Sequence, residues 1–255
     1  MQTAYYTYRA YQTPFCKNRR INGNLEQQAQ ALFKSWFVDF EPFKSGKFVD
    51  SELGMIPEGW KVCSAGNIFK INIGKTPPRK EQQWFSDVNN ENIKWVSISD
   101  LGGEKIFIED SKEYLTKRAI SQFNVIVVPK GTILLSFKLT VGRVGISNCE
   151  LTTNEAIARF YLPQNYFREY TYLALKNYDY ARLGSTSSIA TAVNSKIIKN
   201  MQLIIPVEDI ISDFSKRIKP LFNTIRNNEN EIRKLSKTRD ILLPKLMSGE
   251  LTINV

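Results

Sequence analysis

Three stretches of the chain concentrate the cations and small polar side chains that could act on a polyanion. The first is Gly74-Lys75-Thr76-Pro77-Pro78-Arg79-Lys80, where two prolines stiffen a turn carrying three cations. The second is Ser136-Phe137-Lys138-Leu139-Thr140-Val141-Gly142-Arg143, which follows an apolar run; Gly142 and the nearby Gly145 would let backbone approach a groove. The third is Arg182-Leu183-Gly184-Ser185-Thr186-Ser187-Ser188, followed by Asn194, Ser195 and Lys196. Reading a duplex needs cations and hydroxyls for phosphate oxygens, and guanidinium forks or amides for base edges. Lys75, Thr76, Arg79, Lys80, Lys138, Thr140, Arg143, Arg182, Ser185, Thr186, Ser187 and Lys196 are therefore the candidate DNA contacts. Each stretch also has a plainer reading: a basic surface turn, a hairpin turn and a polar loop.

Residues for covalent or metal chemistry are scarce. The sequence has no histidine, so no histidine-ligated metal, serine triad or cysteine–histidine pair can be built from this chain alone. Cys16, Cys63 and Cys149 are odd in number and far apart, which fits neither a disulfide framework nor a zinc pattern. Thr76-Pro77-Pro78-Arg79 resembles the double-proline motif of adenine methyltransferases, but Thr76 replaces the amide or carboxylate and Arg79 replaces the stacking ring. Glu109-Asp110-Ser111-Lys112 contains a carboxylate-x-lysine triplet of the kind found in metal nucleases, without a convincing acidic partner upstream, and reads as a surface turn. Neither a phosphate-binding P-loop nor a glycine-rich cofactor loop occurs. The expectation is a non-catalytic protein with no cofactor and no metal.

Composition agrees with a polyanion partner. The 255 residues carry a formal net charge of +10, with 42% hydrophobic and 12% aromatic residues, enough for a core beneath a basic surface. An anionic membrane is the competing partner, but no apolar run approaches the ~18 residues needed to span one. The opening MQTAYYTYRAYQTPFCKNRR lacks an apolar signal core, so a cytoplasmic protein is expected.

The elements that must position these residues follow from periodicity. Residues 1–17 show no helical period and receive no assignment. From Asn18 a helix is expected across 18–45, with Ile21, Leu25, Gln28, Leu32 and Trp36 on one face. Pro42, Gly46, Gly54, Pro57 and Gly59 then punctuate what reads as an extended linker. Residues 46–206 read as one mixed domain, with strands near 68–73, 93–98, 124–128, 132–136, 156–162 and 201–205 and helices near 116–122 and 166–175. From Val207 to the end a long helix is expected. Val207, Ile211, Phe214, Ile218, Leu221, Ile225, Asn228, Ile232, Leu235, Arg239, Leu242 and Leu246 recur at alternating steps of four and three, the seam of a coiled coil. Pro220 should kink or break it, and Pro244 should bend or end it. Lys216, Arg217, Lys219, Arg226, Arg233, Lys234, Lys237 and Arg239 alternate with acids and read as a solvated helix surface. The fold class is α+β: one mixed α/β domain flanked by long helices. Ile211, Phe214, Ile218, Leu221, Ile225, Asn228, Ile232, Leu235 and Leu242 are the expected dimer or partner contacts.

A set of ordered segments gives the chain a family likeness. NLEQQAQALFKSWFVDFEPF at 24–43, SELGMIPEGW at 51–60, GKTPPR at 74–79 and IKWVSISDL at 93–101 come first. KGTILLSF at 130–137, TNEAI at 153–157, NSKIIKNMQLIIP at 194–206 and RDILLPKLMSGEL at 239–251 complete it. In this order they resemble the specificity subunits of type I restriction–modification systems. That resemblance implies target-recognition domains, each reading half of a split double-stranded DNA site, and long antiparallel helices between them. It also implies docking of methyltransferase subunits that modify adenine, and in some systems a restriction subunit. The usual plan has two recognition domains. This chain resembles a C-terminal half with one, so a homodimer through the helices is expected, reading inverted half-sites. A silent or truncated specificity cassette and a stand-alone DNA-binding regulator are the alternatives.

Overall fold

The first helix starts much earlier than its hydrophobic period suggests. In the computed structural model, which describes residues 2–103, 105–183 and 194–251, helix α1 runs Gln2–Phe37 without interruption. The tyrosine-rich opening has low helix propensity and Pro14 lies within the span, so local preference hid what the long helix imposes. At its end the amides of Val38 and Asp39 both donate to the Lys34 carbonyl (3.0 and 2.8 Å). Phe40 then turns the chain in the left-handed region at φ 53°, a costly conformation for a bulky residue. It is held by edge-on contacts with Phe48 and Trp60.

The remaining elements, in chain order, are strands β1 Phe48–Val49, β2 Ile56–Pro57 and β3 Lys61–Ser64, helix α2 Ala65–Ile68, and strand β4 Lys70–Ile73. Then come β5 Phe85–Ser86, β6 Ile93–Val96, β7 Phe107–Ile108, β8 Glu113–Leu115 and helix α3 Lys117–Gln122. Strands β9 Ile133–Ser136, β10 Val144–Ser147, β11 Thr152–Thr153 and β12 Ile157–Tyr161 follow, then helices α4 Phe167–Lys176 and α5 Ser195–Lys199, strand β13 Gln202–Ile205 and helix α6 Glu208–Met247. The chain divides into two compact units, Gln30–Lys219 and the paired segments Met1–Ala29 with Pro220–Val255.

The larger unit is built on a five-stranded sheet of order β4-β12-β9-β10-β7 and a four-stranded sheet of order β11-β6-β8-β5. Only the outer pairs β10–β7 and β11–β6 are parallel. Strands β9, β10 and most of β12 are buried at every position, because both sheet faces are covered. Val96, Leu101, Ile108, Val128, Leu134, Leu151 and Ile157 form one core cluster that draws on both sheets. The register places Ile133, Leu135, Ala158 and Phe160 on the other face, and α4 packs on β9 and β10. The expected strand at 124–128 reduces to a single bridge, Val128 with Leu151. The supposed linker is also structured: β1 pairs β2, and Phe40, Phe43 and Trp60 stack edge to face.

Helix α6 continues through both prolines. Pro220 and Lys216 are exposed, so water can satisfy the carbonyl that proline leaves without a donor. In the larger unit Ile211, Phe214 and Ile218 are fully buried, and the Phe214 ring meets Phe33, Trp36 and Phe37 of α1. In the smaller unit α1 and α6 pair antiparallel. Asn228 Nδ2 donates to Asn22 Oδ1 (2.8 Å), Asn18 Nδ2 donates to Glu231 Oε2 (3.1 Å), and the Arg239 guanidinium lies 5.8 Å from the Phe15 ring. Ile225 is buried, while Leu221, Ile232, Leu235 and Leu242 are half-buried. Of the expected seam, Phe214 and Asn228 meet the chain's own α1, through ring contacts and a side-chain amide bond.

Candidate nucleic-acid interface

Antiparallel pairing puts the end of β4, the end of β9 and the starts of β10 and β12 at one end of the five-stranded sheet. The first two basic loops leave from that end. Gly74 begins the first, its amide donating to Ile157 and the Lys75 amide donating to Thr153 (3.1 and 2.9 Å). A Cβ on Gly74 would press into the carbonyl oxygens of Thr153 and Asn154, so only glycine fits this crossing. Pro77 is buried, and the Trp95 indole N–H donates to the Lys75 carbonyl (3.2 Å). Thr76 is spent on Glu155, to which its hydroxyl donates.

Arg79, read from the sequence as a projecting cation, remains exposed at the surface but is tied down by side chains of the same fold. Its two terminal nitrogens donate to both Glu113 oxygens (2.6 and 2.8 Å). Its guanidinium also lies 4.4 Å from the Phe85 ring and 4.3 Å from the Trp95 ring. The hydrogen bonds from Arg79 hold the Glu113 carboxyl below its usual range, and the same pair raises the arginine. Lys75 and Lys80 are exposed on either side, and no carboxylate among the described residues pairs with either.

The second loop is a tight β9–β10 connection. The Ser136 hydroxyl donates to the Thr140 carbonyl (2.5 Å) and accepts from the Arg143 amide (3.0 Å), while the Gly142 amide donates to the Ser136 carbonyl (3.0 Å). Phe137 is buried, its amide bonded to the Ala156 carbonyl (3.0 Å). Lys138, Leu139 and Thr140 are exposed at the tip. Two further sequence readings change. The Arg143 guanidinium is half-buried and donates to the Ile98 carbonyl (3.0 Å), so it pins the 97–106 connection. Gly142 and Gly145 are required by packing: a Cβ would meet the Tyr180 ring at 2.9 Å and the Ile108 side chain at 2.9 Å, respectively.

That contact brings the second loop against the short helix Tyr180–Leu183, which includes the backbone of Arg182. Ser185, Thr186 and Ser187 lie outside the described residues. Lys196 is exposed on α5, whose N-terminus is capped by Asn194 Oδ1 accepting from the Lys196 and Ile197 amides (3.0 and 3.1 Å). Helix α5 packs on α2, which leads into β4 at the end opposite Gly74. The structure therefore does not bring Lys196 to the other lysines. Sequence reasoning missed Lys105, exposed just before β7 at the loop-bearing end; the Gly102-Gly103 turn beside it was the available signal.

The carboxylates of residues 109–112 have structural partners. Asp110 accepts from the Tyr114 hydroxyl (2.8 Å); burial first, and then this hydrogen bond, push that phenol up to about 12, and Glu109 accepts from Asn148. No group of three His, Cys, Asp or Glu among the described residues could hold a metal ion, and no described helix is long and apolar enough to cross a membrane.

Residues 57–237 match the type I restriction modification DNA specificity domain. The chain is 32% identical over 245 residues to the type I restriction enzyme MjaIX specificity subunit of Methanocaldococcus jannaschii, covering 92% of this chain and 55% of that protein. It is 24% identical over 295 residues to the HindI specificity subunit of Haemophilus influenzae, covering 92% and 63%. The crystal structure of the type I S subunit from M. genitalium shares its fold with a TM-score of 0.59 at 15% identity, covering 96% of this chain and 59% of that one. The chain thus spans little more than half the length of these proteins, and it belongs to the type I restriction–modification DNA specificity family.

Proposed function

We propose that this chain is the non-catalytic DNA-reading component of a type I restriction–modification complex, and that the loop-bearing end of its five-stranded sheet faces the duplex. One observation carries the reading. Lys75 and Lys138 are exposed on two loops that leave from that one end and whose roots are hydrogen-bonded into the sheet, and Lys80 is exposed further along the first of them. Lysines placed this way hold phosphates and fix register. Adenine methylation belongs to separate methyltransferase subunits that dock on the chain in the cytoplasm, joined by a restriction subunit where one is encoded. A second copy of the chain is a further partner. It would use half-buried seam residues such as Ile232 and Leu235 together with exposed apolar residues of α6 such as Ile241 and Met247, and light scattering after size exclusion reads that association.

The test of DNA reading is salt dependence. Each of Lys75→Ala, Lys80→Ala and Lys138→Ala should lower the slope of log affinity against log salt by about 0.9 on every duplex. Three unchanged slopes would remove this end from the interface. Methylome sequencing of cells co-expressing the chain with its neighbouring methyltransferase then gives the sequence read.

A further inference from the structure

Leu139 is 99% exposed, the most exposed of the large apolar side chains described. Its backbone is left-handed, at φ 58°, a region that glycine and asparagine occupy readily and leucine rarely. The loop does not relax this conformation. The Ser136 hydroxyl grips the Thr140 carbonyl, the Thr140 amide donates to the Lys138 carbonyl (2.6 Å), and the buried Phe137 fixes the near side. The fold thus holds one apolar side chain clear of every neighbour, in a strained conformation that contributes nothing to its stability. Lys138 and Thr140 flank it.

We propose that Leu139 is a specificity-determining residue that touches bases, while the lysines around it touch phosphates. The inference rests on the DNA-reading function proposed above. An apolar tip between a cation and a hydroxyl has two targets in a duplex, the thymine methyl in the major groove and the face of a partly unstacked base. Both are base-level contacts that a phosphate-binding surface does not need. An acidic protein surface would engage Lys138 and leave Leu139 in water.

The experiment selects duplexes from a random-sequence pool, using the full chain co-purified with its methyltransferase subunit. The unmodified chain should yield a motif. Leu139→Ala should lose preference at one or two adjacent positions and bind the original motif about tenfold more weakly, the loss expected for an unburied leucine side chain. Its salt slope and melting temperature should not move. Leu139→Met should keep the motif, and Lys138→Ala should keep it with a lower slope. An unchanged motif and affinity for Leu139→Ala overturns the inference while leaving the DNA-reading function standing. So does a loss of methyltransferase co-purification with the motif intact. If the unmodified chain selects no motif, the DNA-reading function itself fails.

Discussion

Arg79→Ala separates two jobs that a loop arginine can have. In the structure Arg79 fastens the first basic loop to β8 through Glu113 and lies against Phe85 and Trp95. The Arg79 side chain is 49% exposed and that of Glu113 33%, so after solvent screening the ion pair contributes about 1 kcal/mol. The two ring contacts add about 0.5–1 kcal/mol each. Arg79→Ala should therefore cost about 2 kcal/mol and lower the melting temperature of the full chain by roughly 4–8 °C. Lys80→Ala, one residue on, should stay within about 0.5 kcal/mol. A thermal-melt cycle with Glu113→Gln should return a coupling of about 1 kcal/mol. On DNA, Arg79→Ala should weaken binding by loosening the loop, with no change in salt slope. An unchanged melting temperature, strict additivity with Glu113→Gln, or a slope lower by about one would each refute the reasoning, the last by making Arg79 a phosphate contact.

Three further outcomes are expected. Gly74→Ala should destabilise the larger unit by about 3 kcal/mol in urea unfolding, since its Cβ meets the backbone carbonyls of Thr153 and Asn154, which cannot swing away. Because the folded-state carboxyl of Glu113 is depressed by Arg79, its contribution is present above the unfolded value and is lost as pH falls through the folded one; Glu113→Gln should flatten the acid limb of melting temperature against pH below about 4.5. Asn228→Ala should cost about 1–2 kcal/mol by orphaning the buried Asn22 amide, whereas replacing both asparagines by leucine should recover that loss, read by denaturant midpoint.

What sequence showed and what it hid divide along the range of the interactions. The α6 seam was legible because steps of four and three are a local consequence of helix geometry, and Ile211, Phe214, Ile218 and Ile225 are indeed its buried members. The partner of that seam was not legible, since Asn22 and Asn228 stand 206 residues apart. The first half of α1 was hidden by tyrosines and Pro14, whose local preferences oppose a helix. Short strands such as β7 and β11 have too few residues to show a period of two. In the candidate interface, loop composition marked the right segments, but charge alone could not tell Arg79 and Arg143 from Lys75 and Lys138. The distinction depends on Glu113 and the Ile98 carbonyl, distant in sequence, which occupy the two arginines.

That sorting of arginines from lysines has a consequence for how the chain can change what it reads. Every residue that roots the loops makes long-range bonds or contacts: Gly74 to Ile157, Arg79 to Glu113, Phe137 to Ala156 and Arg143 to Ile98. Every residue at the tips, Lys75, Lys80 and Lys138 to Thr140, is exposed. Substitutions at exposed positions away from such anchors stay within about 0.5 kcal/mol, so the tips can vary with little effect on folding. The roots cannot, because each substitution orphans a partner, opens a cavity or drives a clash. A reader arranged in this way can take a new sequence preference from changes at a few tip positions while the sheet, and the helices that carry it, stay as they are.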